Sequence, residues 1–304
     1  LIYVGSLRDK TVTPLRPAQS GALFAPSGYL LFVERGALMA QRFNAATMSL
    51  EGEATILTAP VRHNSPSSEG FLSISADGAV LTYVVGEPPA SYAMWFDRRG
   101  RHLGTVGPAR GYGEIRLAPD GKSAVVDIPD RESGTRELWL MDIVTAALTR
   151  LTSNPSTDWN AVWSRDGAQI AFASDRDGLS SVFRTRVDGS SDELLVYRGS
   201  RSMFPGDWLP DDRAVLMYAG SGSGGSILAV SVADRSVTSL VESKSFFISG
   251  PALSPDGRWL AYESVETGAP EVYVSPVGRA GRVRVSTSGG TNAAWRADGR
   301  ELYY

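Results

Sequence analysis

The stretch Ser254-Pro255-Asp256-Gly257-Arg258-Trp259-Leu260-Ala261-Tyr262 reads as a tight turn running into a short strand. Glycine supplies the positive φ that a two-residue or bulged hairpin turn demands, and the aspartate before it can accept hydrogen bonds from the turn backbone. Ala252-Leu253 before the phrase and Trp259-Leu260-Ala261-Tyr262 after it are β-type runs, so the whole reads strand, turn, strand. The phrase then returns along the chain. It stands as Ser75-Ala76-Asp77-Gly78, Ala118-Pro119-Asp120-Gly121, Ser164-Arg165-Asp166-Gly167 and Arg296-Ala297-Asp298-Gly299, with weaker copies at Ala25-Pro26-Ser27-Gly28 and Leu209-Pro210-Asp211-Asp212. From the third residue of one copy to that of the next, the steps are 50, 43, 46, 45, 45 and 42 residues. A period of about 45 residues falls in the range of propeller blades.

Each repeat holds two further β-type runs. Third runs are Leu138-Trp139-Leu140-Met141, Val182-Phe183-Arg184, Ile227-Leu228-Ala229-Val230 and Glu271-Val272-Tyr273-Val274. Fourth runs are Leu148-Thr149-Arg150-Leu151, Glu193-Leu194-Leu195-Val196, Val237-Thr238-Ser239-Leu240 and Arg282-Val283-Arg284-Val285. Four antiparallel strands per repeat, with no sustained helical period, is the layout of a β-propeller blade; a β-sandwich has no reason to repeat one turn phrase seven times. The expected fold is therefore all-β, a single propeller domain over 1–304 with blades near 18–60, 67–107, 111–152, 157–198, 202–242 and 246–287. The last repeat, 291–304, stops after its second strand, while Ile2-Tyr3-Val4 and Val12-Thr13-Pro14-Leu15 resemble third and fourth strands. Residues 1–16 are thus expected to complete that blade, giving seven blades, with six as the alternative, and removing two exposed strand edges. Tips carrying Ser27 for the turn Asp and Asp212 for the turn Gly are expected to differ, and Gly220 to Gly225 to form a long mobile loop.

Composition removes much chemistry. The 304 residues contain no Cys and only His63 and His102, which excludes disulfides, thiol nucleophiles, Cys-based zinc sites and an H-E-x-x-H helix. No G-x-S-x-G elbow occurs, and Lys10, Lys122 and Lys244 stand in no phosphate-loop context. A net charge of −3 argues against a broad electrostatic footprint for nucleic acid or anionic lipid. No apolar run approaches the ~18 residues that cross a bilayer. Leu1 opens the chain without an initiator Met, which creates the expectation of a piece of a larger protein.

Propellers bind at the mouth of a central channel lined by their innermost strands. Six residues before each turn Asp stand Phe71, Glu114, Asn160, Pro205, Gly250 and Asn292, and Glu69 and Asp158 lie two further upstream. Glu69, Glu114, Asp158, Asn160 and Asn292 are therefore the candidate channel-mouth ligands, able either to cap turns or to converge as hard oxygen donors on Ca²⁺ or a polar small molecule. No catalytic residue is assigned and no cofactor is required, Ca²⁺ being the one metal these donors suit. Tyr112, Trp159, Phe204 and Phe246, near the starts of innermost strands, are candidate surface contacts. Trp163, Trp208 and Trp295 immediately precede their turn phrases, where a recurring large apolar residue reads as packing between blades.

Ser254–Tyr262 and Ala173-Ser174-Asp175-Arg176-Asp177-Gly178 resemble the repeats of TolB-like β-propellers, a WD-repeat-like family, over nearly the whole chain. Tyr29-Leu30-Leu31-Phe32-Val33, Leu38-Met39-Ala40-Gln41, Trp95-Phe96-Asp97-Arg98 and Gly299-Arg300-Glu301-Leu302-Tyr303-Tyr304 are similar to propellers that follow the kinase domain and membrane helix in certain bacterial serine/threonine kinases. The resemblance implies a non-catalytic binding or sensing module for a protein, peptide or small polar ligand, monomeric and placed outside the cytoplasm. Two other readings stay open at this level. One is a Ca²⁺-dependent propeller hydrolase of lactonase type using the channel, and the other is the propeller of a serine peptidase.

Overall fold

A turn phrase flanked by β-type runs makes hairpins, and the computed structural model is built from them. It describes residues 2–5, 11–16, 18, 20–34, 37–58, 63–64, 69–70, 72–75, 80–83, 91–97, 99–130, 135–221 and 224–304, and among these there is no helix. In chain order the strands are β1 Ile2–Gly5, β2 Val12–Arg16, β3 Leu23–Ala25, β4 Tyr29–Glu34, β5 Ala37–Asn44, β6 Ser49–Thr58, β7 His63–Asn64, β8 Glu69–Gly70, β9 Leu72–Ile74 and β10 Leu81–Tyr83. They continue as β11 Ser91–Phe96, β12 His102–Arg110, β13 Ile115–Leu117, β14 Ser123–Pro129, β15 Arg136–Asp142, β16 Leu148–Arg150, β17 Asp158–Trp163, β18 Gln169–Ser174, β19 Ser181–Arg186 and β20 Leu194–Tyr197. The last ten are β21 Phe204–Trp208, β22 Ala214–Ser221, β23 Gly224–Ser231, β24 Val237–Ser243, β25 Ile248–Leu253, β26 Trp259–Ser264, β27 Glu271–Pro276, β28 Val283–Arg284, β29 Ala294–Trp295 and β30 Leu302–Tyr303.

Five four-stranded antiparallel meanders form, β3–β6, β13–β16, β17–β20, β21–β24 and β25–β28, each spanning one sequence repeat. The repeat at 67–107 holds two-stranded sheets instead, β9–β10 and β11–β12, and its turn Asp77-Gly78 lies outside the described residues. β1 pairs with β2 and β29 with β30, each as a hairpin; their union in one blade stays an expectation.

The chain packs as two units, residues 1–94, 108–112 and 128–136 in the first and 95–107, 113–127 and 137–304 in the second. In the first unit Leu31, Val33, Leu38 and Ala40 form the core of β3–β6, with Ile74 and Leu81 against it. The β1–β2 hairpin is fastened to the same sheet. Ile2 packs with Leu30 and Phe32, and the Arg16 guanidinium lies 4.5 Å from the Phe32 ring centre while donating to Gln41 Oε1 at 2.6 Å.

In the second unit the first strands β13, β17, β21, β25 and β29 neighbour one another in sequence order. The spacing between them is set by tryptophan. Trp163 Nε1 donates to Arg116 O at 2.9 Å, Trp208 Nε1 to Val162 O at 3.2 Å and Trp295 Nε1 to Ala252 O at 3.0 Å. Each indole thus fills the gap between two sheets and gives a ladder-paired carbonyl of the preceding first strand a second hydrogen bond. Trp208 is fully buried, packed with Val162, Ala171, Val215 and Met217 from two adjacent sheets. The packing role read from the sequence holds for these three positions, and the recurrent hydrogen bond explains why tryptophan rather than leucine occupies them.

Turn tips follow the phrase. Gly121, Gly167, Gly257 and Gly299 all have φ near +70°, and each donates its N–H to the first residue of its phrase at 2.8–3.0 Å. The turn aspartates cap the N–H two residues on, as Asp120 does for Lys122 at 2.9 Å and Asp256 for Arg258 at 3.0 Å. Tips at Ser27 and Asp212 were expected to differ, yet both close in the same way, Gly28 N to Ala25 O at 2.9 Å and Asp212 N to Leu209 O at 3.0 Å. Asp212 holds the left-handed position at φ 56°, and its carboxylate accepts the N–H groups of Arg165 at 2.6 Å and Asp166 at 2.9 Å on the neighbouring tip. Gly220 to Gly225 also differs from the expected long loop. Ser221 pairs with Gly224 and Gly220 with Gly225, so β22 and β23 run to within two residues of each other. Glycine is required there: a Cβ on Gly225 would lie 2.7 Å from Ile248 Cγ1 of the next sheet.

Two stability outcomes follow from these contacts. Trp208→Phe removes the indole hydrogen bond to Val162 O, which keeps its ladder partner Ala171, and leaves a void where the larger buried ring sat; it should cost about 2–3 kcal/mol in chemical denaturation, against a far smaller effect at exposed Trp259. Asp212→Gly restores the common turn residue and relieves the left-handed backbone, yet should lower stability by about 1 kcal/mol, because it uncaps two N–H groups.

Candidate functional site

The ends of the first strands opposite the Asp-Gly tips carry a β-bulge. Pairing skips between Trp159 and Val162 on β17, between Pro205 and Asp207 on β21, and between Ser249 and Ala252 on β25. Asn160, Gly250 and Asn292 there have φ of 54°, 56° and 55°. Asparagine and glycine tolerate this region best among residue types, so the backbone selects the amide side chains that the sequence presents as ligands. Asn160 is buried and donates from Nδ2 to Pro205 O at 2.9 Å, joining two sheets. Asn292 is exposed, and its N–H donates to Glu263 Oε1 at 2.7 Å.

The acidic candidates separate. Asp158 is fully buried, 3.3 Å from Arg176 Nη2, and accepts a 2.5 Å hydrogen bond from Asn154 Nδ2. Arg176 also binds Glu193 at 2.5 Å and lies 4.0 Å from the Phe183 ring centre. Burial pushes the Asp158 carboxyl up to about 6, with the Ser174 hydrogen bond and Arg176 pulling it down. Its charge is thus committed to a network inside the sheet β17–β20. Glu114 is about half exposed, 3.5 Å from Arg116, and its N–H donates to Asp127 Oδ1 at 2.5 Å. Desolvation raises its pKa, and Arg116 opposes the shift. Glu69 belongs to the first unit, pairs with Asn64 through β7–β8, and its side chain lies outside the described residues. Among the described residues no group of three or more His, Cys, Asp or Glu is arranged to hold a metal ion.

The aromatic candidates also divide. Tyr112, in the first unit, is buried with its hydroxyl donating to Pro108 O at 3.2 Å. Trp159 and Phe204 come together on adjacent first strands with ring centres 6.4 Å apart, and Phe204 continues to Tyr218 at 5.5 Å. All three are half-buried, forming a row of rings, while Phe246 is exposed two residues before β25. Tyr218 was not singled out in the sequence, nor was Glu263. Both stand seven residues after a turn Asp, where the hairpin brings them opposite Phe204 and Ser249 seven residues before it, so counting forward from the phrase would have found them. The Tyr218 hydroxyl is pushed up to about 12 by burial first and then by the charges of Glu114 and Glu263, with Asn160 and Arg116 opposing. Glu114, Glu263 and Asn160 therefore all act on the end of the aromatic row.

Comparison with known proteins agrees with this architecture. A curated relative, the Tol-Pal system protein TolB of Francisella tularensis, is 27% identical over 154 residues, which is 50% of this chain and 35% of that protein. The chain thus covers about a third of the length of the curated relatives it matches. Among solved structures, TolB of Acinetobacter baumannii superposes with a TM-score of 0.56 at 18% identity, covering 88% of this chain and 65% of that one. A protein described as TolB from Agrobacterium tumefaciens superposes at 0.59 with 18% identity, covering 68% and 74%. At these identities the structural likeness is one of fold. The sequence profile of the TolB β-propeller domain matches residues 65–247, more than half of the chain. With its phrase-bearing hairpins, its tryptophan-spaced four-stranded meanders and this match together, the chain belongs to the TolB β-propeller domain family.

Proposed function

We propose that this chain is a non-catalytic binding module that takes a peptide or protein segment on the aromatic row Trp159–Phe204–Tyr218. The observation that carries the reading is the row itself: three rings in contact, half-exposed at the bulged ends of first strands and braced by the Asn160–Pro205 bond. Rigid aromatic side chains provide large contact area at low entropic cost, which is why they concentrate at interface hot spots. The curated relatives are components of a Tol-Pal system, which supports a protein partner in preference to a small metabolite. The resemblance to propellers behind receptor-type kinases supports a sensory placement within a larger bacterial protein.

The test is selection of peptides from a random phage-displayed library on the purified protein, followed by calorimetry with synthetic copies. Phe204→Ala and Trp159→Ala should each weaken the selected peptides by about tenfold or more, with circular dichroism confirming the fold. Selected peptides that bind both variants as tightly as the parent, or a selection that recovers none, would overturn the reading.

A further inference from the structure

The aromatic row ends in charge that its packing does not require. Glu263 on β26 accepts a 3.0 Å hydrogen bond from Ser249 Oγ and a 2.7 Å one from the Asn292 N–H, and among the described residues no cation pairs with it. It is also held in place sterically, because a Cβ on Gly250 would fall 2.7 Å from Glu263 Oε1. Tyr218 packs against the cluster of Ile248 and Tyr262, the sequence neighbours of Ser249 and Glu263, and the charge of Glu114, balanced by Arg116 at 3.5 Å, acts on the same hydroxyl. Uncompensated negative charge therefore sits at the Tyr218 end, on the Glu263 side.

What could lie there follows from desolvation. A neutral apolar group would strip water from Glu263 and return nothing, and an anion would face two carboxylates. A cation satisfies the carboxylate with a charge-assisted hydrogen bond and is attracted by the faces of the adjoining rings. We propose that the segment docking on Trp159, Phe204 and Tyr218 carries a lysine or arginine that reaches Glu263, beside an apolar side chain that lies on Phe204 and Trp159. This rests on the binding function proposed above and names the chemistry of its partner.

The test uses the same phage selection and synthetic peptides in a double-mutant cycle. Parent protein should enrich sequences with Lys or Arg one to three residues from an aromatic or large aliphatic residue. Glu263→Gln, which keeps an acceptor for Ser249 and Asn292, should weaken the basic peptide by about three- to tenfold and leave its Lys→norleucine analogue unchanged. Raising NaCl from 0.05 to 0.5 M, roughly a threefold shortening of the screening length, should remove most of that difference. Glu114→Gln, which leaves Arg116 unbalanced, should weaken the basic peptide further and serves as the second variant if Glu263→Gln folds poorly. Peptides that need Phe204 yet show no basic enrichment and no response to either glutamate variant would overturn the charge assignment while leaving the aromatic site standing. Peptides indifferent to Phe204→Ala would instead remove the site on which both readings rest.

Discussion

An indole N–H placed against the backbone carbonyl of the preceding first strand is the contact on which the second unit depends. Sheets that stack face to face present mainly methyl groups to one another, and methyl groups alone do not fix a distance or an angle. Trp163, Trp208 and Trp295 add a directional bond at the same point of three of the four interfaces between first strands, Leu253 standing there at the β21–β25 interface. The ring occupies the wedge between neighbouring sheets, and the hydrogen bond prevents that wedge from sliding along the strand. With the first strands positioned in this way, their bulged ends lie close enough for Asn160 to bridge to Pro205 and for Trp159 to meet Phe204.

At the opposite ends a second complementarity operates between adjacent tips. Pro119 lies against Gly167, Pro210 against Gly257 and Pro255 against Gly299, so a proline ring on one tip faces the bare α-carbon of the next. Arg165 breaks the pattern because it occupies the proline position and exposes an N–H. The next tip answers with Asp212 in place of glycine, and its carboxylate takes that N–H and the one after it. The two departures from the phrase are therefore one change, since an aspartate facing Pro would lose one of its two donors, and a glycine facing Arg165 would leave both donors to water.

The repeat length, the hairpin tips and the third and fourth strands were legible because each depends on local chemistry: Asp-Gly for the turn, bulky β-type residues beside it. The packing tryptophans were legible by position, although not their hydrogen bonds, which join residues 43 to 47 apart. Side-chain destinations were less accessible. Asn160 and Asn292 have the composition of ligands, but their backbone angles account for them, and Asp158 is turned into an ion pair with Arg176 that no spacing rule reveals. Gly220 to Gly225 read as a long mobile loop from composition alone, whereas the closeness of Ile248 makes Gly225 a condition for strand pairing. Tyr218 and Glu263 lie on the strand each turn returns to, opposite Phe204 and Ser249, whereas the innermost-strand rule points only to the strand before the turn.

Arg165 has a reach beyond its immediate neighbour. Its guanidinium binds Asp207 at 2.8 Å and extends to Leu253 O at 3.2 Å, while Asp207 accepts the Leu253 N–H at 2.7 Å. Repeat proteins ordinarily evolve by duplicating or dropping whole units, which is tolerated when each unit touches only the next. Here one side chain from the tip after β17 reaches β21 and β25 together, so removing the middle unit would take Asp207 away and leave Arg165 and the Leu253 N–H without the carboxylate they share. The repeats 157–198, 202–242 and 246–287 are in this sense one coupled block and not three interchangeable units.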